Sequence, residues 1–248
     1  MLKMNVLNDI VANKRRELEA RRAAAPYKKS FSKTLREDAN GIIAEFKRCS
    51  PSKGAIKLKA DPAVIVPSYE ANGAACCSVL TDTRYFGGAV TDLMVARANA
   101  SLPLLRKDFI VDEGQIKEAQ EIGANAILLI ASVLDAEQMQ RFSDYAHSLD
   151  LEVLVEIHGE EEICKIPRGA DMIGVNNRDL KTFTVSIENS IRLFPLLPED
   201  ALKISESGIR TIDDIRRLRK VGYRGFLIGE SFMKTDDPGA ELKKFLTE

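Results

Sequence analysis

Excess charge of either sign is missing from this 248-residue chain: 36 Lys and Arg meet 37 Asp and Glu, a net charge of −1. That balance argues against a general binder of nucleic acid or anionic membrane, whose attraction comes from surplus Lys and Arg. No apolar run approaches the roughly 20 residues that span a bilayer. The N-terminus lacks a continuous apolar stretch, with Arg, Lys and Glu following quickly, so a soluble cytoplasmic protein is expected. Cysteine is scarce: Cys49, Cys76, Cys77 and Cys164 form no C-x-x-C pair, and reduced, buried thiols are expected. The two histidines, His147 and His158, show no metal-ligand spacing, so no metal site is expected. No low-complexity linker divides the chain, and no G-x-G-x-x-G follows its first apolar strand candidate.

What the chain does have is a repeat of strand then helix. Apolar strand candidates are Ile42–Phe46, Cys76–Leu80, Pro103–Arg106, Ala126–Ile130, Glu152–Glu156, Met172–Val175, Leu202–Ser205 and Phe226–Gly229. Helical spacing lies between them, for example over Glu113–Ile122, Ala136–Leu149 and Ile212–Val221. Gly73, Gly123, Gly169 and Gly222 each stand just before a strand, where glycine supplies the left-handed residue that ends a helix. Repeated βα units are parallel with right-handed crossovers, and eight of them close most economically into a barrel. An open doubly wound sheet is the competing arrangement, and it would favour the glycine fingerprint that is missing. The expected architecture is α/β, a single (β/α)8 TIM barrel over 41–248 behind an N-terminal helical extension over 1–40. In that extension Val11–Ala23 reads as an amphipathic helix lying against one end of the barrel.

Barrel active sites gather at the C-terminal ends of the strands. Strand one ends Glu45-Phe46-Lys47, and residues two apart share a face, so Glu45 and Lys47 point inward together. A purely structural salt bridge is the alternative reading. Strand three ends on Lys107, whose desolvation near other cations would lower its pKa and make it an acid near neutrality; a solvated loop charge is the alternative. Strand five ends on Glu156, whose burial would raise its pKa and suit acid–base work. Strand six ends Asn176-Asn177-Arg178: the amide offers both donor and acceptor and the guanidinium grips a carboxylate, although paired Asn is also plain turn chemistry. Strands seven and eight end Ser205-Glu206-Ser207-Gly208 and Gly229-Glu230-Ser231, Gly/Ser turns of the kind that cradle an oxyanion with backbone amides. Thr211 is placed to cap the helix that follows, with Asp213 and Asp214 in its first turn. The residues alone therefore indicate acid–base chemistry on a phosphorylated, carboxylate-bearing metabolite.

At these positions the chain resembles indole-3-glycerol-phosphate synthases over nearly its full length. Seven motifs appear in the family's order. They are Ile43-Ala44-Glu45-Phe46-Lys47-Arg48-Cys49-Ser50-Pro51-Ser52; Ser78-Val79-Leu80-Thr81-Asp82 with Tyr85-Phe86-Gly87-Gly88; Leu104 through Ile110; Val155-Glu156; Gly174 through Leu180; Ser205 through Ile209; and Leu227 through Glu230. The resemblance implies ring closure, decarboxylation and dehydration of 1-(2-carboxyphenylamino)-1-deoxyribulose 5-phosphate to indole-3-glycerol phosphate, in tryptophan biosynthesis, without a cofactor. It implies Lys107 as general acid with Glu156 assisting, and Glu45 and Lys47 as a charged pair for the dehydration, with Lys47 also near the phosphate. Asn176 would position the substrate hydroxyls and Arg178 the anthranilate carboxylate. Ser50, Glu206, Ser207, Gly208, Gly229 and Glu230 would line the site, and Phe86 and Phe109 would pack on the aromatic ring. The expected partner is this small phosphorylated molecule, with no nucleic acid or membrane, and the chain a monomer or weak homo-oligomer. Phosphoribosylanthranilate isomerase and the tryptophan synthase α-subunit are the nearest rival barrels, but neither is expected to combine Glu45-x-Lys47 with Lys107 in an Arg-Lys-Asp-Phe setting. A catalytically dead scaffold barrel would be expected to have lost rim lysines or glutamates, and all are present. In the loop of 50–59, Lys57 and Lys59 are expected to be solvated.

Overall fold

Eight parallel strands pair in chain order and the last returns to the first, closing a TIM barrel. The computed structural model describes residues 29–179, 182 and 184–247, so the expected helix Val11–Ala23 lies outside the described residues. Strand β1 is Ile42–Phe46; the loop after it folds into a small antiparallel ribbon, β2 (Cys49–Ser50) and β3 (Gly54–Ala55). The other barrel strands are β4 (Cys76–Leu80), β5 (Leu104–Lys107), β6 (Ala126–Ile130), β7 (Glu152–Ile157), β8 (Met172–Asn176), β9 (Leu202–Glu206) and β10 (Gly225–Ile228). The expected strands are all present, with shifts at their ends. Strand β5 begins after Pro103, which has no N–H for the ladder and contributes only its carbonyl, to Cys77 N at 3.0 Å. Strands β8 and β9 run one residue further into polar sequence, to Asn176 and Glu206, because ladder bonds form without regard to side-chain polarity, and β7 runs one further to the buried Ile157. The joints before β4, β6, β8 and β10 turn on Gly73, Gly123, Gly169 and Gly222, all at positive φ of 98°, 88°, 77° and 129°.

Period-two alternation splits the apolar residues into two layers. Ile42, Ala44, Phe46, Cys77, Val79, Ile127 and Leu129 face outward into the layer between strands and helices. Ile43, Cys76, Leu105, Leu128, Leu154, Met172, Leu202, Ile204 and Leu227 face inward and fill the barrel axis. The floor of this inner core is Phe31 and Leu35 from the helix Phe31–Glu37, both buried in the same cluster. Glu152, the first residue of β7, holds that helix in place: its carboxylate accepts from Ser32 N (2.9 Å), Phe31 N (2.5 Å) and the hydroxyls of Ser30 and Ser32 (2.6 and 2.8 Å). Among the described residues, Phe31 and Leu35 fill the lower end of the barrel, and a cavity lies at the C-terminal ends of the strands.

Truncating the plug with Phe31→Ala leaves a cavity in the axial core and is expected to cost about 3–5 kcal/mol. A lowered urea midpoint and melting temperature would show it, whereas an unchanged unfolding curve would contradict the plug.

Candidate active site

Two positions above the inner apolar residues, five of the barrel strands place a polar side chain. Glu45, Lys107, Glu156, Asn176 and Glu206 follow Ile43, Leu105, Leu154, Gly174 and Ile204 on the inward face. They line a cavity of about 320 Å³ at the barrel mouth. All fourteen residues expected from sequence lie around it, Lys47, Ser50, Phe86, Phe109, Arg178, Ser207, Gly208, Gly229 and Glu230 included.

Lys107 Nζ donates to Glu156 Oε2 at 2.9 Å and stands 3.8 Å from Glu206 Oε2. Asn176 Nδ2 reaches the other Glu156 oxygen, Oε1, at 3.2 Å. Lys47 Nζ donates to Glu45 Oε1 at 2.6 Å, so the first strand does present an inward charged pair. Two glycines make room for the acids. A Cβ at Gly174 would lie 2.0 Å from Glu206 Oε1, and one at Gly229 would lie 2.4 Å from Glu45 Oε1.

The charge states differ from those expected. Lys107 is held mainly by carboxyl groups, not cations. Burial alone would push its amine down, but Glu156, then Glu206 and Glu45, outweigh it, and its pKa stands above the ordinary lysine range. Glu156 also moves against expectation. Burial pushes it up, yet the Lys107 ammonium, His158 and the Lys107 and Asn176 hydrogen bonds bring it below the usual carboxylate range. The raised carboxyl is instead Glu206, lifted well above its usual value by burial and by the neighbouring Glu156 charge, with Lys107 opposing. The cluster thus favours an ammonium, one carboxylate and one protonated carboxyl.

The paired asparagines divide their work. Asn176 faces the cavity, while Asn177 points away and donates to Ser205 Oγ and Ser207 O, each at 3.0 Å. That anchors the turn after β9, where Ser207 (φ 66°) and Gly208 (φ 75°) are both left-handed, a conformation unusual for serine. Thr211 accepts from Asp214 N at 3.2 Å and caps the next helix as expected. Arg178 and Lys53 each stand 3.9 Å from a Glu230 oxygen. Among the described residues Ser50 Oγ is buried without a hydrogen-bond partner, and Phe86 and Phe109 pair with ring centroids 6.2 Å apart. Arg48 braces the surrounding loops by pairing with Asp92 and donating to the carbonyls of Ala60 and Gly87, both at 3.0 Å. Lys57 is not solvated as expected: it donates to the carbonyls of Thr235 (2.7 Å) and Asp236 (3.1 Å), tying its loop to the C-terminal segment.

His158 and Ser132 line the cavity but were not expected there from sequence, and Ser231 of the expected Gly/Ser turn lines it too. His158 had a usable signal: it lies two residues past Glu156, as Lys47 lies two past Glu45. Ser132 lies in the turn two residues past β6, whose end is wholly apolar, which left it without a mark.

Comparison with known proteins bears on this site. The family described as Indole-3-glycerol phosphate synthase matches residues 3–245. The indole-3-glycerol phosphate synthase of Bacteroides thetaiotaomicron is 48% identical over 254 residues, covering 98% of each chain. That of Laribacter hongkongensis is 45% identical, covering 94% of this chain and 89% of its own. Among solved structures, 3-hexulose-6-phosphate synthase from Salmonella typhimurium superposes with a TM-score of 0.64 at 14% identity, over 84% of this chain and 97% of its own. A chain of the tryptophan synthase α2β2 complex from Pyrococcus furiosus gives 0.61 at 13%, over 84% and 97%. At that identity these two share the fold alone.

The raised carboxyl of Glu206 has a consequence for stability. A carboxyl whose pKa is higher folded than unfolded contributes fully below the unfolded value and loses that contribution as pH rises through the folded one. Glu206→Gln, which stays neutral, is therefore expected to melt higher than the parent protein by a margin that widens as pH rises. A melting-temperature difference that is flat or shrinks between acid and alkaline buffers would contradict the assignment.

Proposed function

Because the chain belongs to the indole-3-glycerol phosphate synthase family, a group of carboxy-lyases of tryptophan biosynthesis, we propose that Lys107, Glu156, Glu45, Lys47 and Asn176 carry the reaction at the barrel mouth. The reaction closes the ring of 1-(2-carboxyphenylamino)-1-deoxyribulose 5-phosphate, then loses CO2 and water to give indole-3-glycerol phosphate. The observation that carries the residue assignment is the Lys107 ammonium, in contact with Glu156 and near Glu206 at the foot of the cavity.

In this reading an aromatic carbon attacks the substrate carbonyl and Lys107 protonates the oxygen as charge develops on it. Its raised pKa does not prevent this, since the developing alkoxide is a stronger base than any amine. Before the transfer, the Glu156 carboxylate holds the proton on Lys107. Loss of the carboxylate as CO2 sends its electron pair into the iminium that ring closure creates, while the protonated oxygen stays as the hydroxyl that later leaves as water. Glu156 takes part in proton movement there, and the Glu45–Lys47 pair serves the dehydration. Asn176 holds the sugar hydroxyls, and Arg178 the anthranilate carboxylate, in place of its distant contact with Glu230. Phe86 and Phe109 flank the aromatic ring. Ser50, Glu206 and the backbone of Ser207, Gly208, Gly229 and Glu230 complete the substrate site. The last four receive the phosphate, with Lys47 nearby, which the paired left-handed residues at Ser207 and Gly208 support.

We further take residues 1–248 as one domain, with 1–40 a helical extension and 41–248 the barrel. The chain acts as a monomer or weak homo-oligomer in the cytoplasm. The four cysteines are free, which suits a reducing compartment.

Lys107→Met is expected to lower turnover by about 10²–10⁴, the usual worth of a general acid. Indole fluorescence during substrate consumption reads it, and turnover near that of the parent enzyme sinks the assignment. Parent protein that makes no indole product overturns the reading as a whole.

A further inference from the structure

Glu156 has two carboxylate oxygens, and Lys107 occupies only one. The other, Oε1, faces the imidazole of His158, whose Nε2 stands 3.3 Å away. On the far side of the ring, Nδ1 lies 3.6 Å from Glu162 Oε2. The same Glu162 oxygen accepts the His158 backbone N–H at 2.7 Å, so one carboxylate holds both the main chain and the side chain of this residue. Glu162 belongs to the 3-10 helix Glu160–Lys165, and Lys165 pins that helix by donating to the carbonyls of Ala131 (2.6 Å) and Leu134 (3.1 Å). Asn189 Nδ2 donates to the His158 carbonyl at 3.0 Å. The ring is thus carried by a braced frame and sits in the cavity wall with 12% of its side chain exposed.

We propose that His158, held by Glu162, is a positioning residue of this enzyme: as a cation it braces Glu156 from the oxygen that Lys107 leaves open and keeps the Lys107–Glu156 pair aligned. The inference rests on Lys107 and Glu156 being the acid–base pair. The two ring nitrogens face the two carboxylates at 3.3 and 3.6 Å, and Glu162 is the stronger partner. The charged groups facing the ring are Glu156 from β7, Glu162 from its own frame and Lys107 from β5, with Lys165 acting on Glu162. Burial pushes the imidazole toward its neutral form, but Glu162 and Glu156 outweigh burial and Lys107 together, and the pKa stands above the ordinary histidine value. The cation therefore persists to a higher pH than that of a free histidine. Once it is lost, Glu156 has one cation fewer and its carboxylate is less firmly held.

The test is the pH dependence of kcat and KM for indole formation by the parent enzyme, His158→Asn, Glu162→Gln and Lys107→Met, with circular dichroism as the check on folding. The parent rate is expected to fall as pH rises through the histidine pKa. Glu162→Gln removes the strongest partner of the ring and moves that fall to lower pH. His158→Asn abolishes it and lowers kcat by about 10- to 100-fold, the scale of a small misplacement of catalytic groups, with KM little changed. Should His158→Asn not fold, the shift in Glu162→Gln decides alone. Parent-like pH profiles and kcat in the folded variants overturn the proposal. Full activity in Lys107→Met, or no indole product from the parent enzyme, overturns instead the assignment beneath it.

Discussion

The Lys107 ammonium, 2.9 Å from Glu156 and 3.8 Å from Glu206, sets the terms for everything around it. Charges buried together at the top of an apolar core cost several kcal/mol each unless partners replace the lost water. The barrel supplies those partners. Asn176 and His158 meet the second oxygen of Glu156, and Glu206 favours its neutral form rather than adding a second negative charge. Glycine at 174 and 229 gives the space that the Glu206 and Glu45 carboxylates fill, where any Cβ would intrude. Because each charge is defined by its neighbours, the cluster behaves as one unit with a shared proton inventory.

Around this centre the mouth divides by strand. Strands β1, β5 and β7 bring the lysines and carboxylates proposed for proton movement. Strands β8, β9 and β10 bring an amide, a guanidinium and Gly/Ser turns suited to hydroxyls and anions. The loops over them are tied down from outside the cavity: Arg48 joins three segments, Lys57 reaches carbonyls of the C-terminal segment, and Asn177 secures the turn at Ser207. A mouth held from its outer side keeps its inner polar groups available to a ligand, as the unpartnered hydroxyl of Ser50 illustrates.

Much of this was legible from local pattern. The strands stand where apolar runs placed them, because parallel strands covered on both faces must be apolar almost throughout. The positive-φ glycines marked the joints, and the strand-end positions of Glu45, Lys107 and Glu156 were enough to bring them into one cavity. The directions of the pKa shifts were not legible. Lys107 and Glu156 are 49 residues apart, and their pairing across the barrel reverses the shift that burial alone would give each of them. Lys57 was misjudged for a similar reason, since the carbonyls that receive it lie more than 170 residues further along the chain.

Sequence by itself determined which residues reach the mouth, since side-chain direction in a strand follows from a two-residue period and strand ends follow from composition. It also determined the family, through motifs whose order the barrel preserves. Tertiary structure alone decided which of those residues touch, and therefore which carry charge. Protonation depends on the distance between groups supplied by different strands, and closure of the barrel sets that distance. Lys107 could be read as a catalytic lysine from its neighbours in the chain, but only the closed barrel shows it to be a strongly held cation between Glu156 and Glu206.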